Sequence, residues 1–182
     1  ALNLEQALVQ NVSRSALVME NVSQLSPDKE LVGALDSACN RTCTGPTWLN
    51  QYLDVLKQAP KFVQELVLCE DECENFRFGN NGVVPSIQRW RLPALIGKTL
   101  ICIWVSLVPI GTLGCLIGRD FMEAVGTVLD FTRRTMTCSL FSSGILHLRQ
   151  MVAGHFMLDM LPQRQDAWGA PPQTGWRRVG QD

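Results

Sequence analysis

Apolar residues recur at roughly helical spacing along much of this chain. Over residues 3–24 they fall at Leu4, Leu8, Val9, Val12, Ala16, Leu17 and Val22, which predicts an amphipathic helix. A second helix start is written in Leu25-Ser26-Pro27-Asp28-Lys29-Glu30. There Ser26 can cap, Pro27 suits the first helical position, and the acids favour the positive end of the helix dipole. That helix is expected to run through Leu31, Leu35 and Ala38 to Asn40. After the break at Gly45-Pro46, apolar positions from Trp48 to Val67 predict one long helix, bent or briefly broken at Pro60. Asn80-Asn81-Gly82 is a turn signal, with residues 76–92 as the loop between two antiparallel helices.

Residues 92–118 are the most apolar stretch, with Lys98 as their only charge. The length would cross a bilayer, but Gly97, Pro109, Gly111, Gly114 and Gly118 interrupt it, and a helix buried between subunits has the same all-round apolar pattern. Helical spacing continues from Arg119 to Ser142. After Gly144 an amphipathic helix is expected over Ile145–Leu161, closed by Pro162. The stretch to Asp182 holds Gly169, Pro171, Pro172 and Gly175, with Trp168 and Trp176 among them, and reads as an extended arm. The expectation is therefore an all-α fold of five or six helices, with a helical assembly domain over 1–161 and a Pro/Gly-rich arm over 162–182.

Composition sharpens this picture in two ways. Charged residues make up only 18% of the 182 and the formal net charge is −1, which points to surface buried against other chains or lipid and away from phosphate recognition. Seven cysteines cannot all pair within one chain, and no secretory signal is legible, so intracellular synthesis with mostly reduced thiols is expected. Cys39-x3-Cys43 and Cys69-x3-Cys73 would each place two sulfurs on one helix face. Metal, disulfide and plain buried thiols all stay open there. His147 and His155 lack a spaced acid or cysteine to complete a relay, and there is no Gly-x-Ser-x-Gly and no phosphate loop. Neither a catalytic constellation nor a cofactor is expected.

The order Gly144, helix, Pro162, Ala170-Pro171 resembles the end of the assembly domain of hepadnavirus core proteins and of their non-enveloped fish-virus relatives. The steps of 18 residues (144 to 162) and 9 residues (162 to 171) look the same in that family. Leu25-Ser26-Pro27-Asp28 and Leu35-Asp36-Ser37-Ala38 also resemble its early segments. The resemblance implies a capsid subunit, assembled in the host cytoplasm, that dimerises through an intersubunit four-helix bundle. Leu53, Leu56, Phe62, Leu66, Trp104, Phe121 and Val125 would be its hairpin contacts. Gly144, His155, Pro162, Trp168, Pro171 and Trp176 would form the contact between dimers. The departures are a poorly matched MTCSLFSS before Gly144, a longer middle, and no Arg-rich stretch, so nucleic acid would be a partner only if a basic tail followed Asp182. Two other readings stand beside it. LSPDKE with LDVLKQAPKFVQELV is similar to caspase-recruitment domains, which with an anchor at 92–118 implies a membrane-tethered signalling adaptor. A small helical membrane protein would also explain the apolar segment.

Overall fold

The computed structural model describes residues 31–79, 81–141, 144–151 and 154–170. These residues are built mainly of strands, which overturns the all-α expectation, its long helical hairpin and its four-helix bundle. The first expected helix and the Ser26-Pro27 start lie outside the described residues.

Eight strands form one mixed sheet, in the order β12-β13-β1-β8-β2-β7-β6-β3. In chain order they are β1 (Val32–Leu35), β2 (Cys43–Thr44), β3 (Leu68–Asp71), β6 (Gln88–Ile96), β7 (Thr99–Leu107), β8 (Cys115–Ile117), β12 (Arg149–Gln150) and β13 (Phe156–Asp159). A separate ribbon pairs β4 (Asn75–Arg77) with β5 (Val83–Pro85). A three-stranded sheet joins β9 (Thr127–Asp130), β10 (Thr135–Cys138) and β11 (Leu146–His147). The large sheet curls on itself, because the Leu95 amide at the end of β6 donates to the Met160 carbonyl just after β13, at 2.8 Å.

The apolar stretch 92–118 forms β-structure, not a helix. Ile96 and Thr99 close a hairpin across Gly97-Lys98, and Gly97 takes a φ of +63°, the sign a tight two-residue turn requires of its first central residue. Leu92, Ala94, Ile96, Ile101, Ile103 and Val105 point inward to the main core. Trp104 is buried on the opposite face, with the Arg89 guanidinium 4.9 Å above its ring. Strands covered on both faces read as unbroken apolar runs, which is why they imitate a buried helix. No helix among the described residues is long and apolar enough to cross a membrane.

The region 127–161 is corrected in the same way. Thr127–Asp130 and Thr135–Cys138 pair across a turn in which Arg134 has a φ of +53°. In place of the helix expected over Ile145–Leu161 stand β11, β12 and β13. From Phe156 to Met160 burial alternates, with Phe156, Leu158 and Met160 buried and Asp159 exposed, the period of a strand. Leu31–Asn40 likewise holds β1 and a loop.

Two expected helical stretches are present in shortened form. Helix α1 (Pro46–Leu56) starts with proline at its first turn, where a missing amide is harmless, and buries Trp48, Leu49, Tyr52 and Leu56. Trp48 and Tyr52 stack at 4.7 Å. The Trp48 indole donates to the Val32 carbonyl, and the Tyr52 hydroxyl donates to the Pro93 carbonyl at 2.9 Å. Each such buried apolar side chain stabilises the fold by about 1.5–3 kcal/mol. Pro60 precedes the one-turn helix α2 (Lys61–Gln64), and α3 (Arg119–Ala124) follows β8 directly.

Candidate functional site

Strand β8 lies between β1 and β2, parallel to the first and antiparallel to the second. The loop 36–42 that joins β1 to β2 must therefore pass across the end of β8. β1 brings the chain to this crossing as a fully buried run, Val32-Gly33-Ala34-Leu35, and the first residue out of it is Asp36. Gly33 is required in that run, since a Cβ there would stand 2.5 Å from the Ile117 side chain.

Asp36 is held at both its main chain and its carboxylate. Its amide donates to the Ile117 carbonyl at 3.0 Å, and its Oδ1 accepts the Ala38 amide at 2.9 Å. Its carbonyl accepts the Cys39 amide at 3.1 Å. Ser37 and Ala38, which follow it, are small and exposed.

Beyond Ala38 the loop is clamped onto α3. The Arg119 amide donates to the Cys39 carbonyl at 2.8 Å, and the Asp120 amide donates to that of Asn40 at 3.2 Å. The Asp120 carboxylate accepts the Thr42 amide (2.9 Å), the Thr42 hydroxyl (2.8 Å) and the Phe121 amide (2.8 Å). The Thr42 hydroxyl in turn accepts the Gly118 amide at 3.1 Å. Gly118 lies so close beneath the loop that a Cβ would approach the Arg41 carbonyl carbon to 2.6 Å. A surface loop with this many fixed groups is preorganised, as a reacting site needs.

The ribbon β4–β5 stands beside the loop. Phe76 and Phe78 pack in a small core with Ala34, Cys43, Val108 and Leu116. Arg41 reaches Glu72 and Glu74, each at 3.4 Å, and Glu72 also accepts the Ser86 hydroxyl at 2.7 Å. Two thiols belong to the loop as well. Cys39 is half-buried, and its Sγ donates to the Arg41 carbonyl at 2.8 Å. Interaction with the buried Cys43 lowers the Cys39 pKa and, together with burial, raises that of Cys43.

The residues assigned from sequence to a subunit contact are dispersed by the structure. Leu53 and Leu56 lie on α1 and Phe62 on α2. Leu66 follows α2, Trp104 is on β7, Phe121 is on α3, and Val125 ends α3. All except Leu66 and Trp104 pack into this chain's own main core, and those two are buried as well. Gly144 is exposed, at a φ of +64°. The His155 Nδ1 lies 3.2 Å from the Leu35 carbonyl, one residue before Asp36. Trp168, on a 3-10 turn (Gln165–Trp168), is buried in its own chain's core, and Pro162 lines a shallow groove of about 300 Å³ with Leu95, Leu146 and Met157. Pro171 and Trp176 lie outside the described residues. Among the described residues no group of three or more His, Cys, Asp and Glu could hold a metal ion. Sequence reasoning passed over Asp36, although an aspartate and two small residues after a buried apolar run was the available signal.

No protein-family model matches the chain, and no curated protein does. Among solved structures, the retroviral protease-like domain of Ddi1 from Leishmania major is similar at a TM-score of 0.34 and 10% identity, over 74% of this chain and 92% of that one. An overlap of that size assigns neither fold nor activity to this chain, so the site is interpreted from its own geometry.

Proposed function

We propose that this chain is one half of a two-carboxylate peptide hydrolase, with Asp36 as its catalytic group and a second copy supplying the other aspartate. The observation that carries the reading is the Asp36 carboxylate, fixed by the Ala38 amide at the mouth of a clamped loop and flanked by residues too small to cover it. Hydrolysis of an amide by acid–base chemistry needs one group to take a proton from water and another to give one to the substrate. Two carboxylates sharing one proton do both, because like charges that close cannot both ionise.

The second carboxylate is not supplied by the acids that flank the loop. Asp120 already accepts three hydrogen bonds that hold the loop and α3, and Glu72 is taken up by Arg41, Arg89 and Ser86. A two-fold axis through the loop would bring Asp36 of a second copy to the first. Self-association, expected from the low charge, keeps its place in this reading as a pairing of loops in place of helices. The ribbon β4–β5 is two-stranded, so each strand has an outer edge with no strand paired to it among the described residues. An extended peptide can lie along such an edge through its main chain.

The test is mass-spectrometric cleavage of a peptide library by purified protein over a dilution series, beside Asp36→Asn. Cleavage that disappears in Asp36→Asn, with a specific activity that falls on dilution, is expected. Cleavage that survives in Asp36→Asn refutes the assignment, as does no cleavage at any pH by folded dimer. Activity unchanged on dilution to monomer refutes the shared dyad.

A further inference from the structure

We propose that the outer face of the three-stranded sheet β9–β10–β11 is a contact surface for a second copy of this chain, related to the first by a two-fold axis along β10. The register sorts the side chains of this sheet onto two faces. Met136 is fully buried, and its cross-strand neighbours Leu129 and Leu146 pack with it against the main core. Alternation along each strand turns the neighbouring residues the other way. They fall in two rows across the sheet. Val128, Thr137 and Ile145, which stands one residue before β11, make one row, and Asp130, Thr135 and His147 make the other.

Four of the seven large apolar side chains exposed among the described residues lie on or beside this sheet: Val128, Phe131, Leu140 and Ile145. Apolar exposure gathered in one place marks a contact surface. The pattern within the rows selects a second copy as the partner. The ends of the first row, Val128 and Ile145, are both apolar. The ends of the second are complementary, the Asp130 carboxylate as acceptor and the His147 imidazole as donor. A two-fold along β10, lying between two sheets packed face to face, carries β9 of one copy over β11 of the other. Val128 then meets the partner's Ile145, Asp130 meets the partner's His147, and the two threonines of β10 meet their own copies. The strands of the two sheets run aligned, as stacked sheets do, about 10 Å apart. A two-fold across the strands would instead set Val128 on Asp130 and Ile145 on His147, which buries polar groups against apolar ones. The Asp130 Oδ1 holds its own turn by accepting the Arg133 amide at 2.9 Å, while Oδ2 has only a loose pairing, at 3.8 Å, with the exposed Arg133 guanidinium. That second oxygen can turn to a partner at little cost. The contact does not rest on the reading of Asp36, so failure of peptide cleavage would leave it standing.

Sedimentation equilibrium of the full chain tests the proposal, and a reversible dimer is expected. The two-fold repeats each contact, so Val128→Lys places two lysines in the interface and should raise the dimer dissociation constant by about a hundredfold. Ile145→Glu alone should weaken the dimer to a similar extent. Combined in one chain, the two new charges face each other across the axis, and the double variant should regain at least about tenfold in affinity over either single one. Val128 and Ile145 are exposed in the single chain, so urea unfolding of each variant at monomer concentrations should match the wild type. A chain that stays monomeric at every concentration leaves the face to some other partner and overturns the proposal. A dimer indifferent to both substitutions is held elsewhere, for instance through the Asp36 loops, and overturns it too. A double variant no tighter than the single ones excludes this two-fold.

Discussion

Replacing Thr42 with valine removes one hydroxyl from beneath the candidate loop and changes almost nothing in shape. Thr42 is 1% exposed, and its Oγ1 donates to Asp120 at 2.8 Å while accepting the Gly118 amide at 3.1 Å. The first of these bonds ends on a carboxylate and contributes about 1.5–3 kcal/mol. Its loss also leaves the buried Gly118 amide without that acceptor, a penalty of about 1–3 kcal/mol. Water has no easy way in, because Gly118 is too closely covered for even a Cβ. The two effects share one site and do not add in full, so a net loss of about 3 kcal/mol is expected, roughly a hundredfold in the folding equilibrium. Thr42→Ser keeps the hydroxyl, loses one buried methyl, and should cost about 1 kcal/mol. Urea unfolding followed by tryptophan fluorescence measures both, with equal slopes required for the comparison. A Thr42→Val protein within about 0.5 kcal/mol of wild type would refute the clamp, as would Ser and Val variants equally destabilised.

Other consequences are as direct. Tyr52 is the only tyrosine and is fully buried, and burial raises its pKa well above 10, so tyrosinate absorbance should not appear in the folded chain until pH has passed well beyond that value. The sign follows: the unfolded chain releases that proton near pH 10 and the folded chain keeps it, so the Tyr52 contribution to stability is intact below pH 10 and is lost as pH rises above it. Normal titration near 10 by folded protein would show that the helix α1 packing is wrong. Gly118→Ala should destabilise by several kcal/mol in the same urea assay, about 3 or more, because the new Cβ meets loop backbone that cannot turn aside. A tolerated alanine would mean that the loop is not clamped. Trp168→Ala should cost about 3–5 kcal/mol without altering association, since the ring fills its own chain's core. If sedimentation instead showed weakened self-association at unchanged stability, the ring would belong to an interface.

Parts of this fold were legible in the chain, and the misreadings have identifiable causes. Helix α1 was accessible because Pro46 opens it and Trp48, Leu49, Tyr52 and Leu56 keep one face. The strands β6 and β7 were not, because Leu92–Gly118 is apolar at odd and even positions alike; only Gly97-Lys98, a turn pair between two apolar runs, marked a hairpin there. Phe156-Met157-Leu158-Asp159-Met160 carries large apolar residues at both alternate and helical spacings, and a short segment of that kind does not choose between periods. The candidate site was the least legible part. Asp36 depends on Ile117 and Ala38, and Thr42 on Asp120 some 78 positions away, a pairing that exists only once β8 is inserted between β1 and β2.

That insertion also explains why Asp36, of the acids among the described residues, is the one to test. Glu70 and Asp71 lie exposed on the edge strand β3, and the exposed Glu74 beside it pairs with Arg41. Asp54, Asp130 and Asp159 each pair with a nearby cation at the surface, a contact worth little in water. Asp120 is fixed, but its Oδ1 accepts three hydrogen bonds that tie the loop to helix α3. Among the described acids, Asp36 alone combines a fixed main chain, one carboxylate oxygen oriented by a backbone amide, and the small neighbours Ser37 and Ala38. Fixing a carboxylate in that way gives nothing to stability that a buried apolar residue would not give better, whereas for acid–base chemistry orientation is the whole requirement. The same reasoning sets what the site lacks. In the proposed reading Asp36 is half of a proton-sharing pair, and the loop of a second copy would supply the other carboxylate.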